Sequence, residues 1–147
     1  MESEQKKISV LLVEDDPGDQ KLIKTAIMCQ GCEVGLSIVS SGEAALNYLA
    51  KTKEQPGQFP RPNLILLDLN MPGMGGKEFL KKVKADENFN AIPVVVVTTS
   101  DSENDIKECY ALHAAGYIQK SAMPDEFSQV LEKLTRYWFS VSAILQS

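Results

Sequence analysis

Three uninterrupted apolar segments limit the possible folds of this chain more than any other feature. The segments are Ile8–Val13, Asn63–Leu69 and Pro93–Thr98. None of them alternates polar with apolar residues, so each predicts a strand that is covered on both faces. Strands of this kind are typical of a parallel sheet with helices packed against each side. We therefore expect an α/β fold.

Two weaker strands and five helices complete the predicted pattern. Val34–Val39 and Gly116–Gln119 are the further strands. Residues that favour helix starts separate the strands, and the predicted helices begin at or just after Pro17, Ser41, Gly76, Ser102 and Pro124. We expect the fourth helix to extend from Glu103 to Ala114. Five strand–helix repeats predict right-handed crossovers and a doubly wound, five-stranded parallel sheet.

Composition and charge narrow the possible functions. The 147 residues fit one domain, and the net charge of −5 without a cluster of basic residues argues against nucleic-acid binding. No apolar run approaches the ~20 residues of a membrane span, and the polar N-terminus does not resemble a signal peptide, so we expect a cytoplasmic protein. Cys29 and Cys32 form a C-x-x-C, which we interpret as reduced thiols because zinc needs further ligands and the chain has one histidine.

Polar side chains follow four of the predicted strands, at the point where each strand ends. Glu14 and Asp15 follow the first strand, and Asp68 lies at the end of the third. Thr98 ends the fourth strand, and Lys120 follows the fifth. Ligands of doubly wound sheets bind beyond the carboxyl ends of the strands, so we expect these side chains to meet at one edge of the sheet.

These residue types suit phosphoryl transfer to a carboxylate. Clustered carboxylates repel one another unless a cation joins them, and oxygen ligands in an exposed crevice favour Mg²⁺. A carboxylate beside the ion can act as the nucleophile and become an acyl phosphate. A lysine and a hydroxyl can then contact the phosphoryl oxygens. The sequence therefore indicates a magnesium-dependent phosphoacceptor site.

Four segments, in this order, resemble the successive signatures of the receiver domain of bacterial two-component response regulators. They read LLVEDD, LILLDLNMPGMGG, PVVVVTTS and GYIQK. The resemblance extends over about residues 7–137 and implies a (βα)5 flavodoxin-like fold with strand order 2-1-3-4-5. We expect residues 1–147 to be a single receiver domain in which residues 138–147 extend the last helix.

The resemblance also implies roles for the acidic residues and for Asn70. Asp68 would be the phosphoacceptor, and Asp15 would bind Mg²⁺ directly. Glu14 would complete the acidic pocket through water, although many receivers have Asp at that position. Asn70 would offer its backbone carbonyl oxygen to the ion.

Three further residues are expected to respond to the phosphoryl group. By the same resemblance, Thr98 would bond a phosphoryl oxygen, Lys120 would pair with another, and Tyr117 would change rotamer on activation. Thr98 and Tyr117 would thereby act on the face formed by the fourth helix, fifth strand and fifth helix. Ser121 follows Lys120 where receivers usually have proline; a cis bond there would cost ~2.5–4 kcal/mol, and the sequence leaves its geometry open.

The C-terminal segment predicts an interface between two copies of the chain. An apolar stripe with steps of four and three residues begins at Phe127 and continues past the expected end of the receiver body. Such an exposed apolar patch usually marks an interface. We expect a homodimer whose contacts include Trp138, Phe139, Val141, Ile144 and Leu145. The alternative is that the segment folds back on its own domain.

The chain further resembles the single-domain regulators that are paired with cyanobacterial and bacterial phytochromes, which implies a phytochrome-type sensor histidine kinase as phosphodonor. Two other functions stay open. One is a phosphatase that forms an aspartyl phosphate, but such enzymes usually carry a second Asp where Asn70 stands. The other is a receiver-shaped scaffold that works without phosphorylation, and the intact set of Asp15, Asp68, Thr98 and Lys120 argues against it.

Overall fold

A five-stranded parallel sheet forms the centre of the computed structural model, which describes residues 7–28, 33–120 and 124–137. The order across the sheet is β2-β1-β3-β4-β5, as predicted. The strands are β1 (Lys7–Val13), β2 (Glu33–Val39), β3 (Leu64–Leu67), β4 (Val94–Thr98) and β5 (Gly116–Gln119). All four neighbouring pairs are parallel, which confirms the doubly wound, flavodoxin-like receiver fold.

A helix follows each strand. The helices are α1 (Pro17–Met28), α2 (Gly42–Glu54), α3 (Gly76–Lys84), α4 (Glu103–Ala111) and α5 (Pro124–Arg136). Helices α2 and α4 begin directly after Ser41 and Ser102, and the hydroxyl oxygens of these serines cap them by accepting hydrogen bonds from the backbone N–H groups three residues on. None of the helices in the described ranges has the length and apolar character that a bilayer crossing requires.

Helix α4 ends earlier than the sequence suggested. We expected it to reach Ala114, but it stops at Ala111. His113 adopts a left-handed conformation with φ of 71°. The N–H of His113 donates to the carbonyl of Tyr110 and the N–H of Ala114 to that of Cys109, which is the hydrogen-bond pattern of a Schellman helix end. The chain therefore turns toward β5 three residues sooner than predicted.

The two faces of the sheet carry separate apolar layers. Alternate residues of β1 contribute to opposite layers, with Leu11 on one side and Val10 on the other. One layer includes the buried side chains of α2, α3 and α4, and the other includes those of α1 and α5. Burial on both faces explains why the strands were continuous apolar segments in the sequence.

Candidate functional site

The carboxyl ends of β1 and β3 bring three carboxylates together. Glu14 is 1% exposed and Asp68 is 5% exposed, whereas Asp15 is more accessible to solvent. One carboxylate oxygen from each of the three residues lies within 4.8 Å of the others. The two strands are adjacent in the sheet, and the N–H of Asp68 donates to the carbonyl of Val13 over 3.0 Å. The acidic pocket expected from the sequence is therefore assembled by strand pairing.

Burial disfavours the charged forms of the two most enclosed carboxyl groups. It raises the pKa of Glu14 to about 7, against the opposing hydrogen bond from Lys120. It also raises the pKa of Asp68, although Lys120, the backbone of Asn70 and the hydroxyl of Thr98 favour the ionised form. A bound cation would supply the missing compensation. The donor set, carboxylate oxygens at an open sheet edge, fits a hard divalent ion such as Mg²⁺.

Lys120 lies beside this pocket with its side chain 7% exposed. Its ammonium donates to Glu14 Oε1 over 2.7 Å and to Asp19 Oδ2 over 2.8 Å, while Asp68 Oδ1 is 3.9 Å away. Burial lowers the pKa of this lysine, but the hydrogen bonds to Asp19 and Glu14 outweigh it, so the net pKa is raised. Lys120 is thus a permanent cation whose hydrogen bonds go to carboxylates other than the expected phosphoacceptor.

Asp19 is a site residue that the sequence reasoning missed. It lies in the first turn of α1, where its own N–H donates to Asp16 Oδ2 over 2.8 Å. The available signal was its place in the first turn of a helix predicted to start at Pro17, directly after the strand end that carries Glu14 and Asp15.

Thr98 and Asn70 approach Asp68 from the neighbouring segments. Thr98 is fully buried at the end of β4. Its Oγ1 accepts a hydrogen bond from Asn70 Nδ2 at 3.4 Å and from the N–H of Ser100 at 3.5 Å. Asn70 itself is exposed at the rim of the pocket. The Thr98 hydroxyl is therefore linked both to the phosphoacceptor region and to the loop that leads into α4.

Tyr117 is linked to the same loop from β5. Its hydroxyl donates to the carbonyl oxygen of Ser100 over 3.0 Å, and its ring is half-buried. Burial raises the pKa of Tyr117, which keeps the hydroxyl protonated as a donor. Ser100 Oγ donates in turn to Asp105 Oδ2 over 2.6 Å. Asp105 also pairs with Lys77 of α3, so the loop is connected to two helices.

Glycines allow the loop after Asp68 to pack tightly. Gly73 has φ of +75°, and the next N–H, that of Met74, donates to Glu43 Oε2 of α2 over 3.1 Å. At Gly76 a Cβ atom would lie 2.3 Å from the backbone oxygen of Asp68. The glycine-rich run therefore serves the close approach of the start of α3 to the candidate phosphoacceptor.

Several predicted features lie outside the described residues. They are the C-x-x-C cysteines, the Lys120–Ser121 bond and the five expected dimer contacts, Trp138, Phe139, Val141, Ile144 and Leu145. Exposed apolar side chains do occur in the described residues near this segment, since Val130 of α5 is 45% exposed and Tyr137, just after α5, is 51% exposed.

Comparison with known proteins agrees with this geometry. The family model "Response regulator receiver domain" matches residues 10–132. Response regulator Rcp1 of Synechocystis sp. is 36% identical over 129 residues, which covers 88% of this chain and 87% of that protein.

Two solved structures share both fold and sequence with the chain. The phosphorylated cyanobacterial phytochrome response regulator RcpA superposes with a TM-score of 0.89 at 35% identity, covering 96% of this chain and all of that one. The Mn²⁺-bound form of Rcp1 gives a TM-score of 0.87 at 34% identity, covering 95% and 99%. The chain belongs to the response regulator receiver domain family.

Proposed function

We propose that the protein is a single-domain two-component response regulator that accepts a phosphoryl group from a histidine kinase on Asp68. The observation that carries this proposal is the buried Asp68 carboxylate, which shares a pocket with two other carboxylates and has Lys120 Nζ 3.9 Å away. Residues 1–147 form one receiver domain in this proposal, because one sheet with its two layers accounts for all the described elements. We also propose a cytoplasmic location, where a kinase has access to ATP.

The phosphoryl group passes from a nitrogen atom to an oxygen atom. A carboxylate oxygen of Asp68 forms a bond to phosphorus as the phosphorus–nitrogen bond of the kinase phosphohistidine breaks, and the leaving imidazole takes a proton from solvent. Lys120 and the Thr98 hydroxyl contact the new phosphoryl oxygens. Return to the resting state requires water to attack phosphorus, which releases inorganic phosphate and restores the carboxylate. The protein thus promotes its own phosphorylation and dephosphorylation without turning over other substrates.

Mg²⁺ is the proposed cofactor. Asp15, Asp68 and the backbone carbonyl of Asn70 would hold the ion, with Glu14 acting through water. When bound, the ion would neutralise charge on the phosphoryl group. The buried carboxylates support this assignment, and so does the Mn²⁺-bound structure of Rcp1, a relative with a divalent ion.

The signal leaves the site through the face formed by α4, β5 and α5. A phosphoryl group on Asp68 would draw in the Thr98 hydroxyl, which now accepts from Ser100 and Asn70. Ser100 also accepts the hydrogen bond of Tyr117, so a shift of this loop changes the hydrogen bonding of the tyrosine. Thr98 and Tyr117 would therefore couple the site to that face.

Phytochrome-type histidine kinases are the proposed phosphodonors, and a homodimer through α5 and its extension is the proposed assembly. The similarity to RcpA, a phytochrome response regulator, supports the first. The exposed side chains of Val130 on α5 and of Tyr137 just after it support the homodimer.

Phosphotransfer from a phytochrome kinase tests this function. The kinase is autophosphorylated with radiolabelled ATP and mixed with the wild-type chain or with Asp68→Asn. We expect the label to move to the wild type only. Label that stays on phytochrome kinases but moves from another histidine kinase would refute the proposed donor. Sustained hydrolysis of phosphomonoesters would instead favour the phosphatase alternative.

A further inference from the structure

We propose that Asp19 is a positioning residue that holds Lys120 away from Asp68 in the unphosphorylated protein. Phosphorylation would then require Lys120 to exchange its bond with Asp19 for one with the phosphoryl group. This inference rests on the proposed phosphoacceptor role of Asp68 and adds a residue that opposes the phosphorylated state.

The distances around Lys120 Nζ carry the inference. Two hydrogen bonds, of 2.7 Å to Glu14 and 2.8 Å to Asp19, occupy two of its three donors. The separation of 3.9 Å from Asp68 Oδ1 is too long for a hydrogen bond. The lysine side chain is only 7% exposed, so the two carboxylates rather than water determine where the ammonium lies.

Asp19 is better suited than Glu14 to release the lysine. Glu14 is 1% exposed and belongs to the carboxylate pocket with Asp15 and Asp68, so losing its cation would leave a buried charge unpaired. The Asp19 side chain is 32% exposed and lies outside that pocket. Water can therefore replace the ammonium at Asp19 at a lower cost in free energy.

Asp19 is also held in place by its own backbone. The N–H of Asp19 bonds to Asp16 Oδ2, and the next residue, Gln20, donates its amide Nε2 to the carbonyl of Glu14 over 2.6 Å. These bonds fix the first turn of α1 against the end of β1. The backbone that carries the Asp19 carboxylate is thus held next to Lys120 by hydrogen bonds.

An interaction present only before phosphorylation shifts the equilibrium toward the unphosphorylated form. Removing it frees the ammonium for the phosphoryl oxygen. The pair is partly exposed, so its loss should favour the phosphorylated state by about 3- to 10-fold. Any other role for Asp19, such as general support of α1, would lower stability without improving the binding of a phosphoryl mimic.

Beryllofluoride, which mimics a phosphoryl group on a carboxylate, tests the proposal in saturating Mg²⁺. We expect calorimetry to show that Asp19→Asn binds it about 3- to 10-fold more tightly than the wild type. Asp19→Glu should stay near the wild type because it restores the ion pair. The matched control is Asp101→Asn, which removes one exposed negative charge from the β4–α4 loop. Equal or weaker binding by Asp19→Asn, or an equal gain in Asp101→Asn, would overturn the proposal.

The nuclear magnetic resonance signal of the Lys120 ammonium distinguishes the proposed role of Asp19 from a merely structural one, because loss of structural support alone would not shift this signal. Its signal, assigned with Lys120→Arg, should shift in Asp19→Asn and not in Asp101→Asn. If Asp19→Asn does not fold, the proposal is tested on the wild type. We then expect beryllofluoride to shift the carboxyl carbon signal of Asp19, and an unchanged signal would refute the ion-pair exchange. Failure of the wild type to bind beryllofluoride at all would count against the phosphoacceptor function instead.

Discussion

The backbone of Asp68 is in close contact with two neighbouring segments. Its N–H is bonded to the end of β1, and its carbonyl oxygen faces Gly76 at a distance that leaves no room for a side chain. The backbone therefore holds the carboxylate in a fixed position. The proposed nucleophile needs such a position in order to meet the phosphorus atom of the donor. The same tightness makes Gly76 a sensitive position.

Substitution of Gly76 by Ala tests this packing. A Cβ atom 2.3 Å from the Asp68 oxygen must displace the backbone, so we expect a loss of about 1–3 kcal/mol in the free energy of unfolding, together with slower phosphorylation. Gly57→Ala is the matched control, since nothing lies within 4 Å of its Cβ position. Urea denaturation measures the first effect. Equal stability of the two variants would contradict the close approach.

The sequence predicted which residues meet at the sheet edge but not how they pair. Asp15, Asp68 and Thr98 follow from strand ends, because parallel strands direct their carboxyl ends to one side. The choice of Asp19 and Glu14 as partners of Lys120 depends on the packing of α1 and on one rotamer of a long side chain. Neither leaves a periodic pattern in the sequence.

Among the helices, α4 packs against the rest of the domain with fewer buried residues than its neighbour α3. Cys109 is its single buried residue, whereas α3 buries Gly76, Phe79, Leu80 and Val83. Polar contacts replace the missing apolar ones: Lys77 of α3 pairs with Asp105 and Glu108 of α4. An element with few buried apolar contacts is readily displaced, which suits a helix on the proposed signalling face.

The substitution Asp105→Asn tests this polar attachment, because the loss of stability that it causes should depend on pH. Bonds from Lys77 and, next, Ser100 lower the pKa of Asp105, so the folded chain binds fewer protons there than the unfolded chain. The stabilisation is then fully present above the ordinary aspartate pKa of about 4 and is lost as pH falls through the lower folded value. We expect the variant to be about 0.5–1 kcal/mol less stable at pH 7 in urea denaturation.

The difference between the wild type and Asp105→Asn should shrink between about pH 5 and pH 3. Glu103→Gln serves as the control, because Glu103 lies in the same first turn of α4 and is exposed. A loss in Asp105→Asn no greater than that in the control, or one independent of pH, would show that the ion pair with Lys77 does not stabilise α4.

Element boundaries were predicted less well than elements. The sequence predicted a fourth helix that extends to Ala114, whereas α4 ends at Ala111. The observed end depends on a left-handed His113, a conformation that glycine favours, and on the two hydrogen bonds that close the helix end there. The apolar segment around β3 was likewise longer than the four residues that pair as a strand.

At the scale of the whole molecule, strand order was predictable and assembly was not. Right-handed crossovers and the receiver signatures restrict the sheet to few topologies, and the observed order is the expected one. A homodimer depends on a surface of a second copy. Val130 is exposed on α5 and Tyr137 is exposed just after its end, next to the extension for which the dimer is proposed.

Truncation after Tyr137 tests the assembly. Removing residues 138–147 deletes the proposed apolar contacts, so we expect the full chain to sediment as a dimer and the shortened chain as a monomer. Met28→Ser, which replaces an exposed apolar residue at the end of α1, is the control and should leave the dimer intact. An unchanged assembly mass after truncation would exclude the extension as the interface.

Intact mass after incubation with Mg²⁺ and acetyl phosphate tests most directly whether Asp68 is the phosphoacceptor. We expect a single phosphoryl adduct on the wild-type chain, none without the metal, and none on Asp68→Asn, because the buried carboxylate is then replaced by an amide that cannot form an acyl phosphate. Asp101→Asn should form the adduct as the wild type does. A wild type that stays unmodified, or an adduct that persists in Asp68→Asn, would contradict the assignment of Asp68.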